Sequence, residues 1–424
     1  MESLSLQSFL QSLHKEQWQE VRLGDITSII GDGLHGTPNF DVNGECFFIN
    51  GNNLNDGQII IKKDTKKVSS IECAKYKKDI NEKTILISIN GTLGNMALYR
   101  GENIMLGKSA CYLNFKDNVS RNFMRYVIIN NDFQRYLNIS ATGTTILNVS
   151  LKAIRDFTFL LPPLTIQQKI AEILSSFDDK IDLLHRQNKT LESLALTLFR
   201  HYFIDNPRNP KSVVGVGESL RGGGSDFAIQ APPSSHQKSG KWEMGKLGDY
   251  VRIELGGTPN TAKSEYWGGD IAWINSGEIN KFRIVKPTKT ITKLGFEKSS
   301  TKLLPKGSVV IAITGATLGQ VSLLEIDSCA NQSVVGVIPN DDFSSEFLYL
   351  WIKFNIDEII LNQTGGAQQH INKNDIANYH IIKPDKETLA SVNLKTYFEK
   401  ISHNTKQIQN LQAMRDMLFK AIFA

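Results

Sequence analysis

Two series of short apolar runs, each ending in a long heptad-patterned stretch, organise this chain. In the first series the runs 46–49, 59–61, 84–89 and 110–115 are separated by Gly, Asn and Asp turns, which predicts strands, and 121–137 predicts a helix. In the second, 271–274, 309–313 and 333–338 predict strands and 343–361 a helix, in the same order. Each series therefore predicts an α+β unit of roughly 140 residues.

Between and after these units the period changes. Ile170, Leu174, Phe177, Ile181, Leu184, Asn188, Leu191, Ala195 and Leu198 fall at alternating spacings of four and three, the seam of a coiled coil. A shift of 220 residues gives a poorer copy: Ala390, Leu394, Tyr397, Ile401, Asn404, Ile408, Leu411, Arg415 and Leu418. Asn188 and Asn404 interrupt the two seams, where a polar residue fixes register at some cost in stability. Because one helix leaves each unit, chain connectivity predicts an antiparallel pair, a rod of roughly 50 Å that keeps the units apart. The expected division is a first unit with a short amphipathic arm at 1–163, a first spacer helix at 164–204, a flexible linker at 205–240, a second unit at 241–385 and a second spacer helix at 386–424.

The two units also share words. Trp18 opens WQEVRLGD and Trp242 opens WEMGKLGD; GTPN recurs at 36–39 and 257–260. Ile49–Asn50 answers Ile274–Asn275, and INGTLG at 89–94 answers ITGATLG at 313–319. A tandem duplication suits a ligand that presents two sites in series, of which duplex DNA is the commonest.

With 424 residues, 41% hydrophobic content and 21% charge, the chain has the composition of an ordinary globular protein. The four cysteines, Cys46, Cys73, Cys111 and Cys329, form no CxxC pair and are split three to one between the units. That argues against a zinc site or a disulfide framework and for a reducing cytoplasm. No apolar run reaches membrane-spanning length. A net charge of +5 is a weak pointer to nucleic acid, but its distribution says more. Lys62, Lys63, Lys66 and Lys67 lead one basic run, and Lys281, Arg283, Lys286 and Lys289 lead another at the matching place. Either run alone can be a solvated face; two at equivalent positions favour a polyanion.

The motifs of catalysis are missing. Gly31, Gly33 and Gly36 fit GxGxxG, yet Pro38 stands where a helix should start and the second unit lacks the pattern. Gly107, Lys108 and Ser109 imitate the end of a phosphate loop whose upstream glycine is out of register. Asp178 and Lys180 read as a solvated pair on the coiled coil, and the histidines form no metal-ligating set.

Recognition elements remain. GTPN either is a turn the fold needs or places Thr37, Asn39, Thr258 and Asn260 near DNA. Thr144 and Thr145 in one unit stand where Gln368, Gln369 and His370 stand in the other, as expected of two domains reading different bases. Thr92, Lys108, Lys263 and Thr317 complete the candidate DNA contacts. Tyr266, Trp267 and Trp273 have no close counterpart in the first unit: Trp273 is expected in the core, Tyr266 and Trp267 in the core or at the surface, where Tyr266 is a candidate DNA contact.

The chain resembles the specificity subunits of type I restriction-modification systems. The resemblance rests on the W-x-x-x-x-L-G-D opening, the GTP turn, the TLG segment, and LLPPLTIQQKIAEIL from Leu160 running into FDDKIDLLHRQNKTLESLALTLFRHYF. The second junction, KPDKETLASVNLKTYF, departs from it by losing one proline and the double Gln. The resemblance implies two target-recognition domains that each read half of a bipartite DNA site, separated by the paired helices. It also implies that the helices hold two modification (methyltransferase) subunits and that motor/nuclease restriction subunits join them. S-adenosylmethionine, ATP and Mg would then sit on those partners and no cofactor on this chain. The rival expectation is a repeat-built coiled-coil scaffold that binds proteins or glycans.

Overall fold

The structure, a computed structural model, describes residues 8–212, 240–361 and 370–423. Most of the expected linker, 213–239, and the candidate contacts Gln368 and Gln369 lie outside the described residues. The chain forms two compact units, one of residues up to Lys180 joined by those from Leu411 onward, the other of Ile181–Asn410.

The repeated opening is a packing requirement. In the first unit Gln19–Arg22 pairs antiparallel with Thr158–Leu161, and one helical turn, Leu23–Ile26, follows. Leu23 is buried, and Gly24 lies so close beneath Arg155 that an added Cβ would stand 3.2 Å from the Arg155 carbonyl oxygen. In the second unit Glu243–Lys246 pairs with His380–Lys383, Leu247 is buried, and a Cβ on Gly248 would meet that of Ala377 at 3.0 Å. A leucine that fills the core and a glycine that lets two backbones approach are thus needed at both places.

Both units then build the same pair of sheets. In the first, Thr27–Asp32, Ala110–Phe115, Thr84–Ser88 and Met96–Leu98 lie side by side in that order, all antiparallel. The second unit orders Arg252–Leu255, Val334–Ile338, Val309–Ala312 and Val321–Leu324 in the same way and adds Arg283–Ile284 parallel to the last. A smaller sheet of three strands accompanies each: Lys67–Val68, Cys46–Ile49 and Ile104–Leu106 in one, Lys289–Ile291, Trp267–Ile274 and Cys329–Ala330 in the other. In each the middle strand is antiparallel to the lysine strand and parallel to the third. The last glycine of the TLG segment turns the chain between adjacent antiparallel strands, Gly94 at φ 78° and Gly319 at φ 80°, a region that disfavours any side chain. The helix expected at 121–137 is two, Arg121–Ile129 and Asn131–Ser140. Asn130 between them is extended, and its side chain accepts from the Asp132 N–H to cap the second.

Each core takes in one end of each long helix. The first helix runs Leu164–Phe199 and the second Leu394–Phe423. Ile170, Leu174 and Phe177 share the first unit's core with Leu418 and Ile422, and Leu411 packs against its edge. In the second unit Ala195 and Phe199 share a core with Leu394 and Phe398, while Leu198 packs against it. Ile181, Leu184, Ile401 and Ile408 are also buried, and Leu191 is half-buried. The two helices are antiparallel: in the second unit residue numbers rise along one as they fall along the other, Asn188 meeting Asn404 and Ala195 lying with Leu394.

The two asparagines that interrupt the seams find each other. Asn404 Nδ2 donates to Asn188 Oδ1 at 2.9 Å, and Asn188 Nδ2 donates to Thr405 Oγ1 at 3.4 Å. Replacing both by Leu is expected to raise the unfolding temperature, whereas Asn404→Leu alone strands the Asn188 amide oxygen at a cost of about 1–3 kcal/mol. Thermal unfolding of the single and double variants checks this; a single variant as stable as the double would contradict the pairing.

Several expectations are corrected. Ala390 is exposed on a separate short helix, Lys386–Val392, which Asn393 in the left-handed region breaks from the second long helix; within that long helix Phe398, beside the seam, is buried in the same core on which the half-buried Tyr397 packs. Asp178 is not a solvated charge: it accepts from Arg125, Tyr126 and Arg415, all within the first unit. The beginning of the expected linker is folded, with Asn209 buried and donating to the Phe203 carbonyl at 2.9 Å, and Arg208 paired with Asp385. Cys46 and Cys73 are joined in a disulfide, because the strand Cys46–Ile49 and the helix Ser70–Lys75 bring their Cα atoms within 6.3 Å across 27 residues of sequence. Burial pushes the two remaining thiols up, Cys329 to about 11, so neither is a nucleophile at neutral pH. Among the described residues no helix is long and apolar enough to cross a membrane.

Candidate nucleic-acid interface

The small sheet of each unit carries the same polar rim at one end. Its central strand finishes at Ile49–Asn50 in one unit and Ile274–Asn275 in the other, and a 3-10 turn follows, Gly51–Asn53 and Ser276–Asn280. Both turns are closed by reciprocal capping. Asn53 Oδ1 accepts from the Asn50 N–H at 3.0 Å, and Glu278 Oε1 from the Asn275 N–H at 3.1 Å. The same capping residue reaches the lysine loop. Asn53 Nδ2 donates to Thr65 Oγ1 at 3.3 Å, and Glu278 accepts from Thr288 Oγ1 at 2.8 Å. The threonine thus fixes the lysine after it, Lys66 in one unit and Lys289 in the other.

Each of these lysines stands over an aromatic ring at the edge of a perpendicular aromatic pair. Lys66 Nζ is 4.3 Å from the centroid of Phe40, whose ring meets Phe48 at 5.6 Å and 68°. Lys289 Nζ is 5.4 Å from the centroid of Trp267, whose ring meets Trp273 at 5.0 Å and 86°. Stacking on a ring limits the freedom of a lysine, and both lysines remain exposed. This corrects the expectation that Trp267 and Trp273 lack counterparts. Phe48 holds the position of Trp273 before Ile-Asn, and Phe40 fills the place of Trp267 although it follows GTPN directly while Trp267 comes seven residues after Asn260. The match of Phe48 to Trp273 was available from the shared Ile-Asn; that of Phe40 to Trp267 was not.

The GTPN turn lies against this pair. Pro38 and Pro259 are buried, while Asn39 and Asn260 are exposed. The Asn39 N–H donates to Glu72 Oε1, and the Gly257 and Asn260 carbonyls accept from the indoles of Trp273 and Trp267. Asn260 Oδ1 is committed to the Ala262 N–H, and the Thr258 hydroxyl to Gln332, whereas Thr37 is exposed. In the first unit a cleft of about 350 Å³ opens between the turn and the lysine loop.

The other candidates are scattered. Lys62, Lys63, Lys108, Lys263, Lys281 and Lys286 are exposed, and Lys67 is half-buried over Phe47. Thr92, Thr144 and Thr145 are exposed, Thr317 is half-buried and donates to the Thr314 carbonyl, and His370 is exposed. Two placements rule out direct contact with a phosphate. Tyr266 is 7% exposed beneath Lys263, and Arg283 is buried in an ion pair with Glu325. Among the described residues no group of three or more His, Cys, Asp or Glu side chains is placed to hold a metal ion.

A family model described as the type I restriction modification DNA specificity domain matches residues 15–193 and again 239–413. The chain belongs to this family. It is a specificity subunit, which recognises DNA sequence through two such domains, works with other subunits of the system, and is not itself a catalyst. It is 26% identical over 345 residues to the type I restriction enzyme HindI specificity subunit of Haemophilus influenzae, an overlap of 70% of this chain and 75% of that one. It is 25% identical over 349 residues to the MjaIX specificity subunit of Methanocaldococcus jannaschii, covering 80% and 77%. Its fold is that of the type I restriction-modification S subunit from M. genitalium, with a TM-score of 0.57 over 96% of both chains at 16% identity. The specificity subunit thus carries its duplicated rim in duplicated specificity domains.

Proposed function

We propose that the specificity subunit reads a bipartite duplex site, one half per unit, through the rim of turn, capped amide loop and lysine. The observation that carries this is the lysine held over an aromatic pair at the same end of the same sheet in both units. Lys62, Lys63 and Lys66 in one unit and Lys281, Lys286 and Lys289 in the other contact phosphate and set the register. Exposed polar tips, among them Thr37, Asn39, Thr144 and Thr145, face base edges. Its helices dock two modification subunits, which bring S-adenosylmethionine, and motor/nuclease subunits that use ATP and Mg join them. The assembly works in the cytoplasm, an inference from its partners, since the Cys46–Cys73 bridge removes the cysteine argument.

Mapping of methylated adenines in cells that express this chain with its modification subunits tests the proposal. A single motif of two specified blocks separated by an unspecified spacer is the expected result. One contiguous block, or methylation that persists without this chain, would overturn it.

A further inference from the structure

We propose that Asn52 is the residue with which the first unit specifies an adenine, its amide meeting the N6 and N7 edge in the major groove. The inference rests on the reading of that unit as a half-site reader and names a residue within it. Asn52 stands exposed on the wall of the cleft, whose lining also includes Phe40, Phe48, Lys62, Asp64 and Lys66.

Three asparagines share this short turn, and two are spent on holding it together. Asn50 Oδ1 accepts from the Ser109 hydroxyl at 3.0 Å. Asn53 accepts from the Asn50 N–H and donates to the Ile60 carbonyl at 3.0 Å and to Thr65. The Asn52 amide has no hydrogen bond with any described residue; only its backbone carbonyl is engaged, accepting from Lys62 Nζ at 3.0 Å. A donor and an acceptor side by side, both free and on a backbone pinned by its neighbours, are what two hydrogen bonds to adenine require.

The second unit supplies the comparison. Its turn keeps the capping pair, Asn275 and Glu278, but has Gly277 where the first has Asn52, and the Gly277 N–H donates to Asn275 Oδ1 at 2.8 Å. The framework residues are retained and the outward tip changes from an amide to nothing, which is how two domains of one frame come to specify different bases. Lys62 and Lys66 flank the tip and suit the phosphates on either side of the base. Asp64 at the same mouth repels a phosphate and leaves the opening to a base edge.

The test is the methylation motif of the complete complex carrying Asn52→Gly or Asn52→Asp. With glycine, one A·T position in one half-site should lose its discrimination by about 5- to 150-fold while the other half-site stays specified. With aspartate, which only accepts, preference at that position should move toward the cytosine amino group. The intact half-site reports a folded chain, and glycine is what the second unit carries in this turn. An unchanged motif in both variants, a change at a G·C position, or soluble assembled complexes that methylate nothing would each overturn the assignment of Asn52. A wild-type complex without a two-block motif would instead bring down the half-site reading itself.

Discussion

Removing Lys63, Lys66, Lys286 and Lys289 together, each as alanine, should weaken binding of the assembled complex to every duplex by roughly a thousandfold at physiological salt. Each lysine that neutralises a phosphate releases a counterion, so four lost contacts should also flatten the plot of log affinity against log salt by about 3.6. All four are exposed, and the two stacked on rings contribute only about 0.5–1 kcal/mol each to stability through that contact. Lys62 is left in place because its ammonium holds the Asn52 carbonyl and its loss would disturb the turn. The chosen bases should not change, since phosphate contacts position a protein and base contacts specify. Fluorescence anisotropy at several salt concentrations, with cognate and unrelated duplexes, measures both quantities. A slope equal to that of the wild type would place the polyanion elsewhere on the molecule.

What the sequence made legible was whatever is fixed by spacing alone. The strands at 46–49 and 110–115 lie where period and turns put them, and the Leu-Gly-Asp and Thr-Leu-Gly repeats mark sites where geometry admits little else. The asparagines of the two seams were visible as interruptions because a heptad has a strict register, and the structure brings those two together. Contacts made across the fold were not legible. Phe40 and Trp267 do one job from different offsets after GTPN, so no alignment of the two units could match them. Cys46 and Cys73 meet only because a helix packs beside a strand. A left-handed Asn393 ends the short helix before the second long one and so takes Ala390 out of the seam, a break the heptad count could not show. In the lysine-rich runs the pattern could not separate cations that face outward from one that faces in.

Arg283 is that one, and its replacement separates the two roles. It was grouped with phosphate-binding lysines because it shares their run; the structure places it on the strand Arg283–Ile284 with its side chain 5% exposed. Its guanidinium pairs with Glu325, whose side chain is 7% exposed, and donates to the Phe398 carbonyl of the second long helix at 2.9 Å. Phe282 and Phe398 flank it at 5.1 and 5.2 Å. Ser402 donates to the other Glu325 oxygen at 3.0 Å, so the pair ties sheet to helix inside the second unit. Arg283→Met should leave Glu325 buried beside only Lys306 and Ser402 and cost about 3–5 kcal/mol of stability. Arg283→Met with Glu325→Leu removes both charges at similar volume and should recover most of that loss, because the desolvation of each ion disappears with its partner. Neither variant should alter the salt dependence of DNA binding measured below the unfolding transition. Denaturant unfolding of the single and double variants decides the matter. A single variant of wild-type stability whose salt slope falls by about 0.9 would return Arg283 to the phosphate-binding set.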